Sequence, residues 1–84
     1  MQEVQKQIIK FALDYDVENI HSYSGYKGDL IVKICSKQKE VMLEIRRFAL
    51  SLDVLDVVIK QNPNMLQYEI YCVTEDADVY ELKF

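Results

Sequence analysis

The side chains best suited to covalent chemistry in this sequence are one imidazole and one thiol. His21 and Tyr23 alternate within a short polar segment, and Cys35 follows Tyr23 by twelve residues. An imidazole beside a thiol is a pairing used in nucleophilic catalysis. Nothing in this spacing forces the two groups together, so an ordinary surface histidine is the favoured interpretation. We therefore predict no catalytic residue and a non-enzymatic protein.

Two other segments match ligand-binding motifs only in part. The segment GYKG at 25–28 lacks the G-x-x-x-x-G-K-[ST] spacing of a phosphate loop and is predicted to join two strands. An acidic run near the C-terminus lacks EF-hand spacing, and it consists of Glu75, Asp76, Asp78 and Glu81. We predict no metal and no cofactor. The acidic run is either a solvated turn or a negative surface that docks on a basic patch of a partner.

Composition limits the classes of function further. The chain has 84 residues, half of them hydrophobic, and a formal net charge of -4. This length predicts one small domain, 1–84. An acidic chain repels phosphate backbones, which disfavours binding to nucleic acid. The two cysteines are too few for a disulfide scaffold, and no apolar run reaches the roughly 18 residues of a membrane span. We expect a cytoplasmic protein.

The periodicity of apolar residues predicts two helices and five strands. A helical stripe over residues 3–15 includes Val4, Ile8 and Phe11, and a second stripe follows Ser36, which is positioned to cap it. Strands are predicted at 18–24, 30–36, 54–61, 66–73 and 79–84, with turns at 25–28, 62–64 and 74–78. The predicted order is α-β-β-α-β-β-β.

The segments FALDYDV and FALSLDV belong to a longer internal repeat. Residues 3–17, shifted by 37 positions, match residues 40–54 at eight of fifteen positions, including Phe11 with Phe48, and the same shift brings Ile20 onto Val57. We predict an internal duplication of an αββ unit, with units of about 1–36 and 37–73 and an extra C-terminal strand at about 79–84. The expected fold is α+β, with two helices on one face of a four- to five-stranded antiparallel sheet. That arrangement would be a permuted ferredoxin-like sandwich.

Positions that differ between the two units are the candidates for function. Ile9 matches Arg46, and an exposed Ile9 next to Leu13 would form a contact patch. The sheet surface opposite the helices mixes aromatic, aliphatic and charged groups, a composition typical of interfaces. By alternation it carries Asn19, His21, Tyr23, Ile31, Lys33, Cys35, Asp56, Val58, Lys60, Glu69, Tyr71 and Val73.

Three interpretations of that surface remain open. It is a solvated sheet face, a homodimer or partner interface, or a stacking platform for single-stranded nucleic acid, which the acidic charge disfavours. We expect a small acidic interaction protein that acts as a regulator or inhibitor, of the kind that phages and mobile elements encode. The alternative is a dimeric ferredoxin-like domain that senses a small metabolite.

Overall fold

The computed structural model describes residues 3–25, 29–64 and 66–75 of the chain. Within these residues the chain forms two helices and four strands. In chain order they are α1 (Glu3–Ala12), β1 (Asn19–Ser24), β2 (Asp29–Ser36), α2 (Lys39–Leu50), β3 (Asp56–Asn62) and β4 (Gln67–Glu75).

The four described strands form one antiparallel sheet in the order β1-β2-β4-β3. Both helices pack on the same face of this sheet, because their apolar stripes and the inward side chains of the central strands bury each other. Two helices on a four-stranded antiparallel sheet confirm the predicted α+β class. The predicted fifth strand, 79–84, lies outside the described residues.

The core lies between the helices and the sheet. Ile34 and Ile70 stand directly opposite each other on the two central strands, and neither has exposed surface. The other buried apolar members come from both helices and the same strands: Ile8, Ala12, Val32, Val41, Met42, Ile45, Ala49 and Cys72. Removal of this apolar surface from water is the main term that stabilises the fold.

The helix ends differ from the predicted ones. α1 ends at Ala12 rather than at residue 15, because the N–H groups of Asp14 and Tyr15 donate to carbonyls only three residues back, which tightens the turn. The prediction that Ser36 caps α2 is wrong. Ser36 is the last residue of β2 and is buried, and Gln38 occupies the N-cap position without a capping side chain.

Ser36 serves the connection between strand and helix instead. Its hydroxyl donates to the Asp16 carbonyl at 2.9 Å and accepts the Gln38 N–H at 3.1 Å. The carboxylate of Asp16 also accepts from the Gln38 side chain, at 3.2 Å. These bonds join the loop after α1 to the loop before α2.

β4, the last strand of the described residues, is shifted toward the C-terminus relative to the strand predicted at 66–73. Thr74, predicted in a turn, is buried in β4, where its hydroxyl donates to the Leu30 carbonyl at 3.2 Å. Leu66, the first residue of the strand predicted at 66–73, precedes β4 and is 78% exposed. Its φ of 52° belongs to the turn after Pro63 and Asn64, which ends before the sheet pairing begins.

Candidate functional site

We call the sheet surface that faces away from the helices the open face. Alternation along each strand places the predicted residues there, because their neighbours Val32, Ile34, Ile70 and Cys72 fill the core on the other side. The predicted members on this face are Asn19, His21, Tyr23, Ile31, Lys33, Cys35, Asp56, Val58, Lys60, Glu69, Tyr71 and Val73. No described helix covers them.

The strand register arranges the open face in rows of directly opposed residues. One row contains Tyr23, Ile31, Val73 and Asp56, and its three non-acidic members form an apolar band. The next row contains His21, Lys33, Tyr71 and Val58, and the third contains Asn19, Cys35, Glu69 and Lys60. The register therefore places five predicted partner-binding residues in two adjacent rows: His21, Tyr23, Ile31, Val58 and Tyr71.

A hydrogen-bonded charge network occupies the centre of the open face. The Lys33 ammonium lies 3.1 Å from Oε2 of Glu69, and the Tyr71 hydroxyl donates to Oε1 of the same carboxylate at 3.1 Å. The side chains are 29% exposed for Lys33 and 14% for Glu69, so the pair is only partly screened by water. This network holds three side chains of the open face in fixed positions.

The Tyr71 ring lies between two ammonium groups. Nζ of Lys33 lies 5.7 Å from the ring centroid and Nζ of Lys60 lies 5.2 Å from it, both within cation–π range. Lys33 also pairs with a carboxylate, whereas Lys60 has no ion pair within the described part of the chain. The Lys60 charge is therefore the one available to an incoming group.

The network shifts the protonation equilibria of its members. The hydrogen bond from Lys33 lowers the pKa of Glu69, and the same bond raises the pKa of Lys33. Partial burial, followed by the bond to Glu69, raises the pKa of Tyr71. All three groups keep their ordinary neutral-pH charge states over a wider pH range than they would alone.

His21 and Cys35 do not form the catalytic pair that their side-chain types would allow. His21 is exposed on edge strand β1 opposite Lys33, whereas Cys35 lies one row away and is 5% exposed. Burial raises the pKa of the Cys35 thiol, which is the opposite of the shift that activates a nucleophile. Cys72 lies in the core, where burial raises its pKa to about 12.

The other predicted contact residues are spread over the molecule. Ile9 is half-buried against the core, which corrects the expectation of an exposed side chain, whereas Leu13 is 66% exposed just beyond α1. Glu75 is the last residue of β4 rather than part of a turn. Asp76, Asp78 and Glu81 lie outside the described residues, so the predicted acidic surface has no structural description.

The interpretation of the sequence missed a feature of the helix layer. Phe11 and Phe48, predicted as core residues, pack against the core but are only half-buried, and their rings stack with centroids 4.2 Å apart and an interplanar angle of 1°. Shallow grooves of about 250 and 290 Å³ flank this pair. The first is lined also by Gln7, Lys10 and Asp14, and the second by Glu44, Arg47 and Ser51.

These two groove linings are related by the same spacing of 37 positions as the sequence repeat. Gln7 matches Glu44, Lys10 matches Arg47, and Asp14 matches Ser51. The spacing of 37 positions in the sequence was therefore the signal that could have located the stacked pair.

Two kinds of feature are absent from the described residues. Among them no group of three or more His, Cys, Asp or Glu side chains could hold a metal ion. Within the same residues no helix is long and apolar enough to cross a membrane. Comparisons with protein-family models, curated proteins and solved structures found no match to this chain.

Proposed function

We propose that this chain is a small non-enzymatic interaction module that acts as a regulator or inhibitor through protein contact, with the open face as its contact surface. The observation that carries the proposal is the pairing of an apolar band with an ordered charge network on one uncovered side of the sheet. Protein interfaces combine the same two elements, apolar area and polar groups that form hydrogen bonds.

The apolar band supports the contact energetically. Ile31 and Val73 are half-buried, Tyr23 is 42% exposed, and the half-buried Val58 of the next row adjoins the band. Their remaining accessible surface would leave water on binding, at about 25 cal/mol for each Å². Aromatic residues are also enriched among the side chains that dominate binding energy.

The charge network favours a partner that carries a carboxylate. Lys33 is neutralised by Glu69, so the cationic group left for a partner is Lys60, held beside the Tyr71 ring. The matching surface would be a flat protein patch with an apolar strip that meets the apolar band and, beside it, an Asp or Glu that reaches Lys60. Single-stranded nucleic acid fits less well, because the chain carries a net charge of -4.

The best test compares substitutions on the open face with one on the helix layer. Tagged full-length chain would be used to capture proteins from lysate of the source organism, and any captured protein would then be titrated by calorimetry. Val58→Lys and Lys60→Glu on the open face should each weaken the affinity at least tenfold. Leu50→Lys on α2, where the leucine is 56% exposed, should leave it unchanged.

Circular dichroism would confirm that each variant stays folded. A protein that binds all variants equally well would show that the open face is not the contact surface. Capture of nothing by the wild type would count against an interaction module altogether.

The predicted internal duplication also remains a proposal, and several observations support it. The strand order β1-β2-β4-β3 is the order that a permuted ferredoxin-like sandwich of two αββ units would have. The stacked pair Phe11 and Phe48 and the two matched grooves follow the spacing of the repeat. Residues 79–84 would then be an addition to the doubled unit.

The alternative function, a dimeric domain that senses a small metabolite, takes its support from the same grooves. Each groove has an aromatic wall and one cation, Lys10 or Arg47. Both are smaller than the roughly 300–1,000 Å³ of most ligand pockets. A thermal-shift screen with amino acids and nucleotides tests this idea, and Phe11→Leu should abolish any shift that reflects binding in the grooves.

A further inference from the structure

The two edge strands of the sheet differ in how they are protected against pairing. On β3 the Asp56 carboxylate accepts the Val57 N–H at 2.9 Å, so this N–H points away from β4 and is already occupied. The strand also carries the charges of Asp56 and Lys60, and Pro63 follows it directly. Charges and proline are the devices that keep natural edges from pairing with other chains.

Edge strand β1 has none of these devices. Its sequence NIHSYS contains no Asp, Glu, Lys or Arg and no proline, and every side chain except that of Ile20 is exposed. Ser22 and Ser24, on the side of the sheet that the helices cover, are exposed as well. Neither helix therefore blocks the approach of another strand to this edge.

The register identifies the backbone groups that β1 leaves free. Gly25 donates its N–H to the Asp29 carbonyl, and Ser24 stands opposite Leu30. Because backbone groups alternate in direction along an antiparallel strand, those of Ile20, Ser22 and Ser24 point toward the free edge. No strand of the described residues occupies that edge.

We propose that β1 is a strand-pairing edge at which a second copy of this chain adds its own β1 in antiparallel register. A twofold axis at Ser22 would pair the backbone groups of Ser22 with those of the Ser22 in the second copy. Ile20 of each copy would then face Ser24 of the other, and His21 would face Tyr23 on the open-face side. An uncharged strand can make this self-pairing without like-charge repulsion.

The size of the open face favours a second copy as the occupant. With strands about 4.8 Å apart and about 3.3 Å per residue, the face measures about 19 by 22 Å, a projected area of about 400 Å². Standard interfaces bury about 800 Å² on each partner. Pairing through β1 would join two open faces into one continuous sheet with twice the area. This step rests on the proposed function, since it enlarges the same contact surface.

The experiment compares like-charge substitutions on the two edges of the full-length chain. Ser22→Lys places two lysines opposite each other at the proposed axis. Gln61→Lys is the control on the other edge, because Gln61 is exposed on the same side of the sheet in β3, and Ser22→Ala, which should still dimerise, controls for loss of the bond from the Ser22 hydroxyl to Gln5. Sedimentation equilibrium should show a dimer for the wild type and for Gln61→Lys, with at least tenfold weaker association for Ser22→Lys.

Hydrogen exchange supplies a readout at the edge itself. The amides of Ile20, Ser22 and Ser24 should exchange more slowly as wild-type concentration rises, and those of β3 should not change. A strict monomer at millimolar concentration, an equal effect of both lysine variants, or protection of β1 that is independent of concentration would each overturn the proposal. Suppose that Ser22→Lys no longer dimerises but still captures the partner protein, and that this capture still depends on Val58. The β1 edge and the proposed function would then be separate properties of the protein.

Discussion

The two αββ halves of this molecule, α1-β1-β2 and α2-β3-β4, agree where they meet and differ where they end. At the centre, Ile34 faces Ile70 and Phe11 stacks on Phe48. At the edges, β3 is charged and partly capped, whereas β1 is uncharged and open. Residues where the halves meet pack against each other, so a change in one affects its neighbour in the other half. Each edge strand lacks such a neighbour, so its residues are limited only by what the edge must bind or avoid.

The strand register shows how the pairing of β1 with β2 compares with the pairing of β3 with β4. Both edge strands start with a bulge: Glu18 and Asn19 lie against Cys35, and Leu55 and Asp56 lie against Val73. The two bulges lie 37 positions apart, so β1 and β3 follow the spacing of the repeat in the sequence. Ile20 stands opposite Ile34 and Val57 stands opposite Cys72, so the equivalent positions of β2 and β4 are 38 apart. The segment from Val57 to Cys72 is thus one residue longer than that from Ile20 to Ile34, and this keeps the core-facing side chains of both central strands on the same side of the sheet.

The sharpest difference between the halves inside the core is Gln5 against Met42, two buried residues 37 positions apart. The Gln5 carbonyl oxygen accepts from the Ser22 hydroxyl at 3.1 Å, whereas its amide nitrogen has no partner within the described residues. A buried amide without a partner costs about 1–3 kcal/mol. The first half is thus held less tightly at its helix-to-edge contact than the second.

Exchanging these two residues has the largest effect that we predict for the comparison. Met42→Gln should lower the free energy of unfolding by about 2 kcal/mol, because it buries an amide where a thioether packs. Gln5→Met should raise it by about 1 kcal/mol, because it removes the unpartnered nitrogen. Urea unfolding monitored by circular dichroism measures both changes.

Gln5→Glu, of nearly the same shape, is the control for the Gln5→Met variant. It should be destabilising at neutral pH, since it buries a charge at the same place. A Gln5→Met variant less stable than the wild type would show that the amide is satisfied and that the halves do not differ in this way.

A smaller effect is expected where the halves meet, at the stacked pair. Phe11→Leu and Phe48→Leu should each destabilise the fold, and a double-mutant cycle should give a coupling of about 1 kcal/mol, as expected for paired rings. Tyr15 is the reference, because its ring is tilted by 46° at 5.2 Å from Phe11 and lies in the same half. A Phe11–Phe48 coupling no greater than that of Phe11 with Tyr15 would contradict a shared seam.

The smallest effect concerns Lys33 and Glu69, residues 36 positions apart that carry opposite charges. Glu69→Lys should destabilise the fold by about 0.5–1 kcal/mol, and the double exchange Lys33→Glu with Glu69→Lys should recover most of that loss. Failure of the double variant to recover stability would mean that the ion pair does not help to join the halves.

The pH dependence of this pair follows from its pKa shifts. The pKa of Glu69 is lowered by the bond from Lys33, so the stability it contributes is present above the ordinary glutamate range and is lost as pH falls through the lowered pKa. The pKa of Lys33 is raised, so its contribution persists until pH rises beyond the ordinary lysine range. Unfolding measured against pH, with Glu69→Gln as control, should show a loss of stability on the acid side that the variant lacks.

Most of the fold and the composition of the open face follow from periodicity. Stripes such as that of Ile8 and Phe11, and alternation such as that of Glu69 and Tyr71, depend on short-range geometry that each segment carries by itself. The role of Ser36 was wrongly predicted, because pairing with Tyr68 holds it in β2, beyond the reach of the helix it was expected to cap.

By itself, then, the sequence determined the two helices, the four described strands, the side of the sheet that each side chain faces and the unusual lack of charge in β1. Only the tertiary structure decided the register of β3 on β4, the network around Tyr71, the stacking of Phe11 on Phe48 and the burial of Gln5. These depend on the register between segments far apart in the chain. Register is set by the hydrogen-bond ladders and by how side chains from both halves fill one core, and no local pattern encodes it.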